Sequence, residues 1–144
     1  MRILLDNAIL VRASGTSRGL ARNLLLQVVE SKHILLLSKE MLYELAKVLR
    51  YPRMLALHGL SEERVYEYIR FLREVAEMVT LNLLFTAPVR DVNDIMVIQT
   101  AVVGEADVLC TRDKDLHTAE VVAFLKKTGT MVLDDVALMH RLRL

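Results

Sequence analysis

The sequence predicts an α/β fold with a mainly parallel sheet covered by helices on both faces. Three observations carry that expectation. Short apolar runs at Ile3–Leu5, Ile34–Leu37, Val108–Cys110 and Met131–Leu133 alternate with longer stretches of helical periodicity. Strands separated by helices join through right-handed crossovers into a parallel sheet. No repeat, low-complexity tract or Pro/Gly-rich linker divides the 144 residues, so one domain is expected over residues 1–144.

Each element has a local cause. Ile3 to Leu5 reads as a short buried strand ending at Asp6. A loop with Gly15 follows over Ala13 to Ser17. Residues from about Arg18 to Ser31 read as a helix whose apolar face includes Leu20, Leu24 and Val28. Ile34 to Leu37 is a second buried strand. Ser38 is a good N-cap for a helix that runs to about Leu49 and is stopped by Pro52. Ser61 caps a further helix to about Val79, with Glu62 and Glu63 in the first turn where the helix dipole favours them. Residues 80–90 read as a loop that could hold a short strand at Leu83 to Phe85. Asp94 opens a helix that ends at Gly104, a plausible C-cap. Asp107 to Thr111 is a third core strand. A helix around Thr118 to Lys127, a strand at Met131 to Leu133 and a last helix from about Asp135 complete the chain.

Composition excludes several classes. A hydrophobic fraction of 53% and a mean hydropathy of +0.33 imply a well-covered interior. No apolar run approaches the roughly 18 residues of a membrane span. Asp6 interrupts the apolar start, which argues against a signal peptide. A single cysteine, Cys110, excludes an intramolecular disulfide and a cysteine-based zinc cluster, so a cytoplasmic setting is the default. The net charge of +1 gives no global basic field. Arginine outnumbers lysine 13 to 6, so any nucleic-acid contact would be a local patch. His33, His58, His117 and His140 are scattered without ligand spacing and read as structural or surface residues. Cys110 reads as an inert buried thiol.

Four acids stand at element ends beside apolar stretches: Asp6, Glu44, Asp94 and Asp113. A carboxylate beside a core is costly unless it is paired, hydrogen-bonded or metal-bound. If the fold gathers all four, repulsion raises their pKa values or demands a cation. Asp6 and Asp113 follow apolar strands, at the carboxyl edge where ligands bind in parallel sheets. Asp94 shares a helix face with Ile98 and Ala101, so it points toward that edge. Helix capping is its competing role, although Asp91 or Asn93 could cap instead. Glu44 borders the stripe Met41, Leu42, Leu45, Val48 and Leu49, within reach of a neighbouring cleft, while Glu40 lies further out and reads as solvated. Asp113 and Asp115 are two apart, so at most one is expected in Asp6's cleft if the segment is extended. Thr111 offers a hydroxyl that could orient a carboxylate or a metal-bound water, and the segment Thr111 to Asp115 could equally be a charged turn. Oxygen-only ligands suit magnesium or manganese rather than zinc or copper.

These residues carry a resemblance. Ile3-Leu4-Leu5-Asp6 followed by Ile9-Leu10-Val11, Glu44 to Leu49, Arg90 to Asp94, and Ala106 to Leu116 resemble, in order and spacing, the four acid-bearing segments of PIN-domain proteins of the VapC-like toxin group. The last segment is the most specific. The resemblance implies a three-layer α/β/α sandwich, a Mg2+ or Mn2+ site on Asp6, Glu44, Asp94 and Asp113, and endoribonuclease activity. Asp6 and Asp94 would be the principal ligands, and Asn7 and Thr111 would support them. Arg90, Arg112 and Lys114 flank two of the acids and could meet the RNA backbone. Solvated loop charges are their competing reading.

One departure separates this chain from the family pattern. Asn or Ser usually stands two residues after the first Asp. Here that residue is Ala8, and Asn7 stands one earlier. In a regular strand the two would project to opposite sides. Asn7 takes over only if the chain turns sharply after Asp6. The alternative to a ribonuclease is therefore a catalytically degraded scaffold that binds a partner protein or RNA. A haloacid-type phosphatase would want an Asp at position 8, and a receiver domain would want adjacent early acids and a strand-end lysine, neither of which is evident. A toxin of this group implies a small antitoxin partner. The helix from Ser61, with Val65, Tyr66, Tyr68, Ile69, Phe71 and Leu72, carries apolar bulk on more than one face, which suits a homodimer or antitoxin surface as well as ordinary packing.

Overall fold

The computed structural model describes residues 1–15, 19–82 and 84–143. Five strands form one parallel sheet: β1 (Arg2–Leu5), β2 (Ile34–Ser38), β3 (Glu77–Val79), β4 (Val108–Cys110) and β5 (Met131–Leu133), in the order β3-β2-β1-β4-β5. Helices cover both of its faces, giving the three-layer α/β/α sandwich that the sequence predicts. The register pairs Ile3 with Leu35, Leu4 with Leu109, Leu37 with Met78 and Leu109 with Val132. Central strands are covered on both faces, so their runs are uniformly apolar. Ile3, Leu4, Leu5, Leu36, Leu37 and Leu109 are accordingly sealed from solvent.

The helices are α1 (Asn7–Ala13), α2 (Leu20–Val29), α3 (Lys39–Leu49), α4 (Pro52–His58), α5 (Glu62–Val75), α6 (Val92–Val103), α7 (Ala119–Lys126) and α8 (Asp135–Leu142). Ser38, Ser61, Thr118 and Asp134 each cap the helix that follows, accepting from its first-turn amides. A 3₁₀ turn at Lys114–Leu116 follows β4.

The structure decides two open readings and corrects two others. The strand ends before Asp6 as expected, and Asp6 is the N-cap of α1, so Asn7 and Ala8 are the first two residues of a helix and not alternating strand positions. Pro52 starts a helix as well as stopping one. Its missing N–H is no loss at the first helical position, and Gly59 at φ 64° ends α4. The helix from Ser61 ends at Val75, and residues 77–79 form the edge strand β3 instead of a last helical turn. Asp91, not Asp94, caps α6, its side chain accepting from the Asn93 amide at 2.8 Å. Of the optional strand at Leu83 to Phe85, Leu83 lies outside the described residues. Phe85 is in no strand and packs edge-to-face on Phe124 at 6.2 Å. Thr16 to Arg18, which the expected loop and helix start included, also lie outside the described residues.

Gly104 sits at the end of α6 for want of space. A Cβ there would lie 2.8 Å from the Thr100 carbonyl oxygen and 2.9 Å from Val79 Cγ2. The left-handed residue that closes this helix is the next one, Glu105, at φ 53°. The Ala106 amide then donates to the Ala101 carbonyl at 2.9 Å, which turns the chain directly into β4.

The strand order reverses between β1 and β4, because β1 leads to β2 on one side while β4 returns on the other. Such a switch point opens a crevice at the carboxyl ends of the two strands. Asp6 follows β1, and Thr111 and Asp113 follow β4, so the topology delivers all three to that crevice.

Candidate active site

A cleft of about 500 Å³ opens at this switch point. Asp6, Glu44, Asp94 and Asp113 all line it, together with Asn7, Ala8, Asp91, Asn93 and Arg112. Val11, Val48, Met96 and Val97 supply its apolar walls. Four acids far apart in the chain thus converge from α1, α3, α6 and the turn after β4.

Asp6 is the deepest of them, 9% exposed. Its amide donates to the Cys110 carbonyl at 3.0 Å, which extends the β1–β4 ladder by one rung. The Thr111 hydroxyl donates to Asp6 Oδ2 at 2.5 Å and accepts from the Asp113 amide at 3.0 Å. Burial pushes the Asp6 carboxyl up; the Thr111 hydrogen bond and the Asn7 and Ala8 amides draw it down, and the Asp113 charge adds to the rise. Thr111 is therefore the orienting hydroxyl that the sequence suggested.

Asp94 stands in the first turn of α6, released from capping by Asp91. It is half-buried, and its pKa is raised to about 7, first by burial and then by the charges of Asp113, Asp91 and Asp115. Asp94, Asp113 and Asp115 each bring a carboxylate oxygen within 4.8 Å of the others. Of the pair, Asp113 lines Asp6's cleft and Asp115 does not, as expected, although Asp115 joins Asp94 and Asp113 in this grouping. The segment is not extended. Asp113 instead caps the 3₁₀ turn, accepting from the Asp115 amide at 2.9 Å, and the tight turn brings both carboxylates to one side. Asp6 and Glu44 line the same cleft outside this closest grouping.

Glu44 is 22% exposed at the cleft wall, with Lys47 Nζ at 4.0 Å. Glu40 does not behave as a solvated residue: its Oε2 is buried and has no hydrogen-bond partner. Asn7 donates through Nδ2 to the Met41 carbonyl at 3.0 Å, leaving Oδ1 buried and unpartnered. The chain does turn sharply after Asp6, so Asn7 and the exposed Ala8 both line the cleft. Arg112 lines it too, whereas Arg90 and Lys114 are exposed and do not.

Three of the four histidines have structural partners, His33 meeting the Met1 amino group at 2.9 Å. His58 bridges the Leu49 carbonyl and the Leu60 amide, and His117 meets the Thr111 carbonyl at 2.6 Å. The Cys110 thiol is fully buried and strongly pushed up by burial, which keeps it unreactive. On α5, Val65 and Leu72 are buried and Tyr68 donates to the Leu10 carbonyl at 2.6 Å, while Tyr66 and Phe71 stay exposed. No helix among the described residues is long and apolar enough to cross a membrane.

The residues present fit a hard divalent cation. The donors are carboxylates, and burial together with the neighbouring charges raises Asp94 to about 7. A cation would relieve the repulsion among them.

Comparison with known proteins accords with this architecture. No curated protein matches the chain. Among solved structures, a chain of VapBC2 from Rickettsia felis, crystallised bound to a DNA fragment from their promoter, matches with a TM-score of 0.61 at 14% identity. The match covers 93% of this chain and 98% of that one, and it is a likeness of fold. A family model for the PIN domain matches residues 2–115, from β1 into the 3₁₀ turn, and so takes in every acid of the cleft. By that match the chain belongs to the PIN-domain family.

Proposed function

We propose that this chain is a Mg2+- or Mn2+-dependent endoribonuclease, the toxin of a toxin–antitoxin pair. The observation that carries the reading is the convergence of Asp6, Glu44, Asp94 and Asp113 on one cleft, with Asp94 raised to about 7 by burial and its acidic neighbours. Such crowding is poor for stability and useful for metal chemistry. Asp6, Asp94, Glu44 and Asp113 would hold the ion, with Asp115 and Asn7 Oδ1 beside them. A divalent cation held by these residues would supply charge neutralisation and Lewis-acid activation for phosphodiester hydrolysis.

The chain's own residues do the rest. Thr111 holds Asp6 in one orientation and ties it to the Asp113 backbone. Asp91 caps α6 and leaves the Asp94 carboxylate free. Asn7, a residue of the cleft lining, is tied to the Met41 carbonyl through Nδ2. Arg112 presents a cation to an approaching polyanion. The net reaction adds water across one P–O bond of the RNA backbone.

The same reading takes residues 1–144 as one cytoplasmic domain. It adds a small antitoxin and a homodimer as partners, for which the exposed Tyr66 and Phe71 of α5 offer apolar contact. Incubation with single-stranded RNA and manganese tests the activity. Cleavage that depends on metal and is lost in the Asp6→Asn, Asp94→Asn double variant is expected. Cleavage retained by that variant overturns the assignment.

One observation favours a second reading. Ala8 offers a methyl group at the cleft, where the family pattern has a hydrogen-bonding side chain. A scaffold that has lost catalysis and acts by binding would fold normally, bind a partner or RNA, and cleave nothing in manganese.

A further inference from the structure

Two arginines share one buried carboxylate at the edge of the acidic cleft. Asp135, the first residue of α8, is 2% exposed. Its Oδ2 accepts from Arg12 Nη2 at 3.3 Å. Its Oδ1 accepts from the Val136 amide at 3.0 Å and lies 3.9 Å from Arg112 Nε. A carboxylate this deep requires a counter-charge. One guanidinium would supply it, and the second leaves the trio with a net positive charge. The arginine side chains are 40% and 62% exposed, and neither has another side-chain partner among the described residues. Their remaining N–H donors are thus uncommitted.

We infer that Arg12 and Arg112, held side by side by Asp135, form a phosphate-binding subsite for the RNA strand that enters the cleft. Asp135 is its positioning residue. The inference rests on the nuclease reading for the identity of the strand. Three features favour a nucleic-acid backbone. Arginine's rigid fork of donors matches phosphate oxygens. Arg112 lines the same cleft as Asp6, Asp94 and Asp113, so a phosphate gripped there lies beside the acids. An acidic cleft repels a polyanion, and Arg112 in its lining, with Arg12 on the same carboxylate, offsets that repulsion.

The test is RNA binding by the full chain carrying Asp94→Asn, which prevents loss of the probe. Fluorescence anisotropy with a short fluorescein-labelled single-stranded RNA is followed across a salt series. Arg12→Gln and Arg112→Gln should each weaken binding several-fold and lower the salt slope by about one. Asp135→Asn supplies the discriminating sign. It adds one positive charge to the protein, so a diffuse electrostatic patch would bind RNA more tightly. A positioned pair that loses its holder binds more weakly. Thermal melts identify any variant that fails to fold, and the two exposed arginine variants keep the test decisive if Asp135→Asn does.

Tighter binding by a folded Asp135→Asn chain overturns the inference. So do arginine variants that bind like the parent, or a parent that binds no RNA. A chain whose binding shifts as stated but which cleaves nothing keeps the subsite and loses the nuclease. A chain that cleaves RNA while its arginine variants bind unchanged keeps the nuclease and loses the subsite. Variants that spare RNA but release a bound partner protein assign the pair to that partner and overturn the inference as well.

Discussion

The Thr111 hydroxyl donates to Asp6 Oδ2 at 2.5 Å while its oxygen accepts from the Asp113 amide. One side chain thereby couples the acid after β1 to the acid after β4, across the switch point that opens the cleft. Asp6 is only 9% exposed, and Thr111 is the one side chain that donates to it among the described residues. Thr111→Val keeps the shape and removes the donor. Manganese affinity should fall roughly 10–100-fold, as for other partners that orient metal ligands. Thr111→Ser should restore it. Calorimetric titration of both variants checks this.

Asp94 makes the stability of the metal-free protein depend on pH. Its carboxyl is raised from an ordinary 3.8 to about 7 in the folded chain. Between those values the folded state holds a proton that the unfolded state lacks, so stability is fully present below 3.8 and is lost as pH rises through about 7. Asp6, raised by burial, contributes with the same sign. In chelator, the melting temperature of the wild type minus that of Asp94→Asn should decline across this window. Saturating manganese, which binds the deprotonated form, should reverse the trend. A difference that is flat with pH contradicts the crowding on Asp94.

Asn7 is expected to do the work that Ala8 cannot. The residue lines the cleft, its Nδ2 is tied to the Met41 carbonyl, and its buried Oδ1 has no partner. Asn7→Ala should reduce metal affinity by roughly tenfold or more. Ala8→Ser should change it by less. The opposite ranking in the same titration would move the supporting role to position 8 and strengthen the case for a degraded site.

Gly104 tests the packing that sets α6 in place. A Cβ there would collide with the Thr100 carbonyl oxygen and Val79 Cγ2, joining the end of α6 to the edge strand. Gly104→Ala should destabilise the fold by about 1–3 kcal/mol, the usual cost of overpacking. Urea unfolding measures it. An unchanged midpoint means that β3 can yield, and that α6 does not depend on this contact.

How much was legible in the sequence follows from which signals were local. Ile3–Leu5, Leu35–Leu37 and Val108–Cys110 are buried on both sides, so their apolar runs announce strands without any tertiary knowledge. Ser38, Ser61 and Thr118 announce helix starts through their own hydroxyls. Strand β3 was not legible, because Leu72, Ala76 and Val79 continue the helical spacing while the edge position exposes Glu77 and Met78. Helix α4 buries no residue and so has no periodic face to read. Within the cleft, Asp6, Glu44, Asp94 and Asp113 were found because each acid interrupts an apolar pattern. Asp115 was set aside because its approach depends on the 3₁₀ turn that Asp113 caps. Asp135 looked like any acid at a helix start, and its burial between Arg12 and Arg112 arises only when α8 folds back beside α1 and the β4 turn.

The central claim is that the clustered acids form a divalent-cation site. Titrating manganese into the wild type and into Asp94→Asn, with the heat recorded at neutral pH, tests it most directly. Saturable binding with proton release in the wild type, lost in the variant, is the predicted result. No binding in a folded wild type, or equal binding in both proteins, would contradict it.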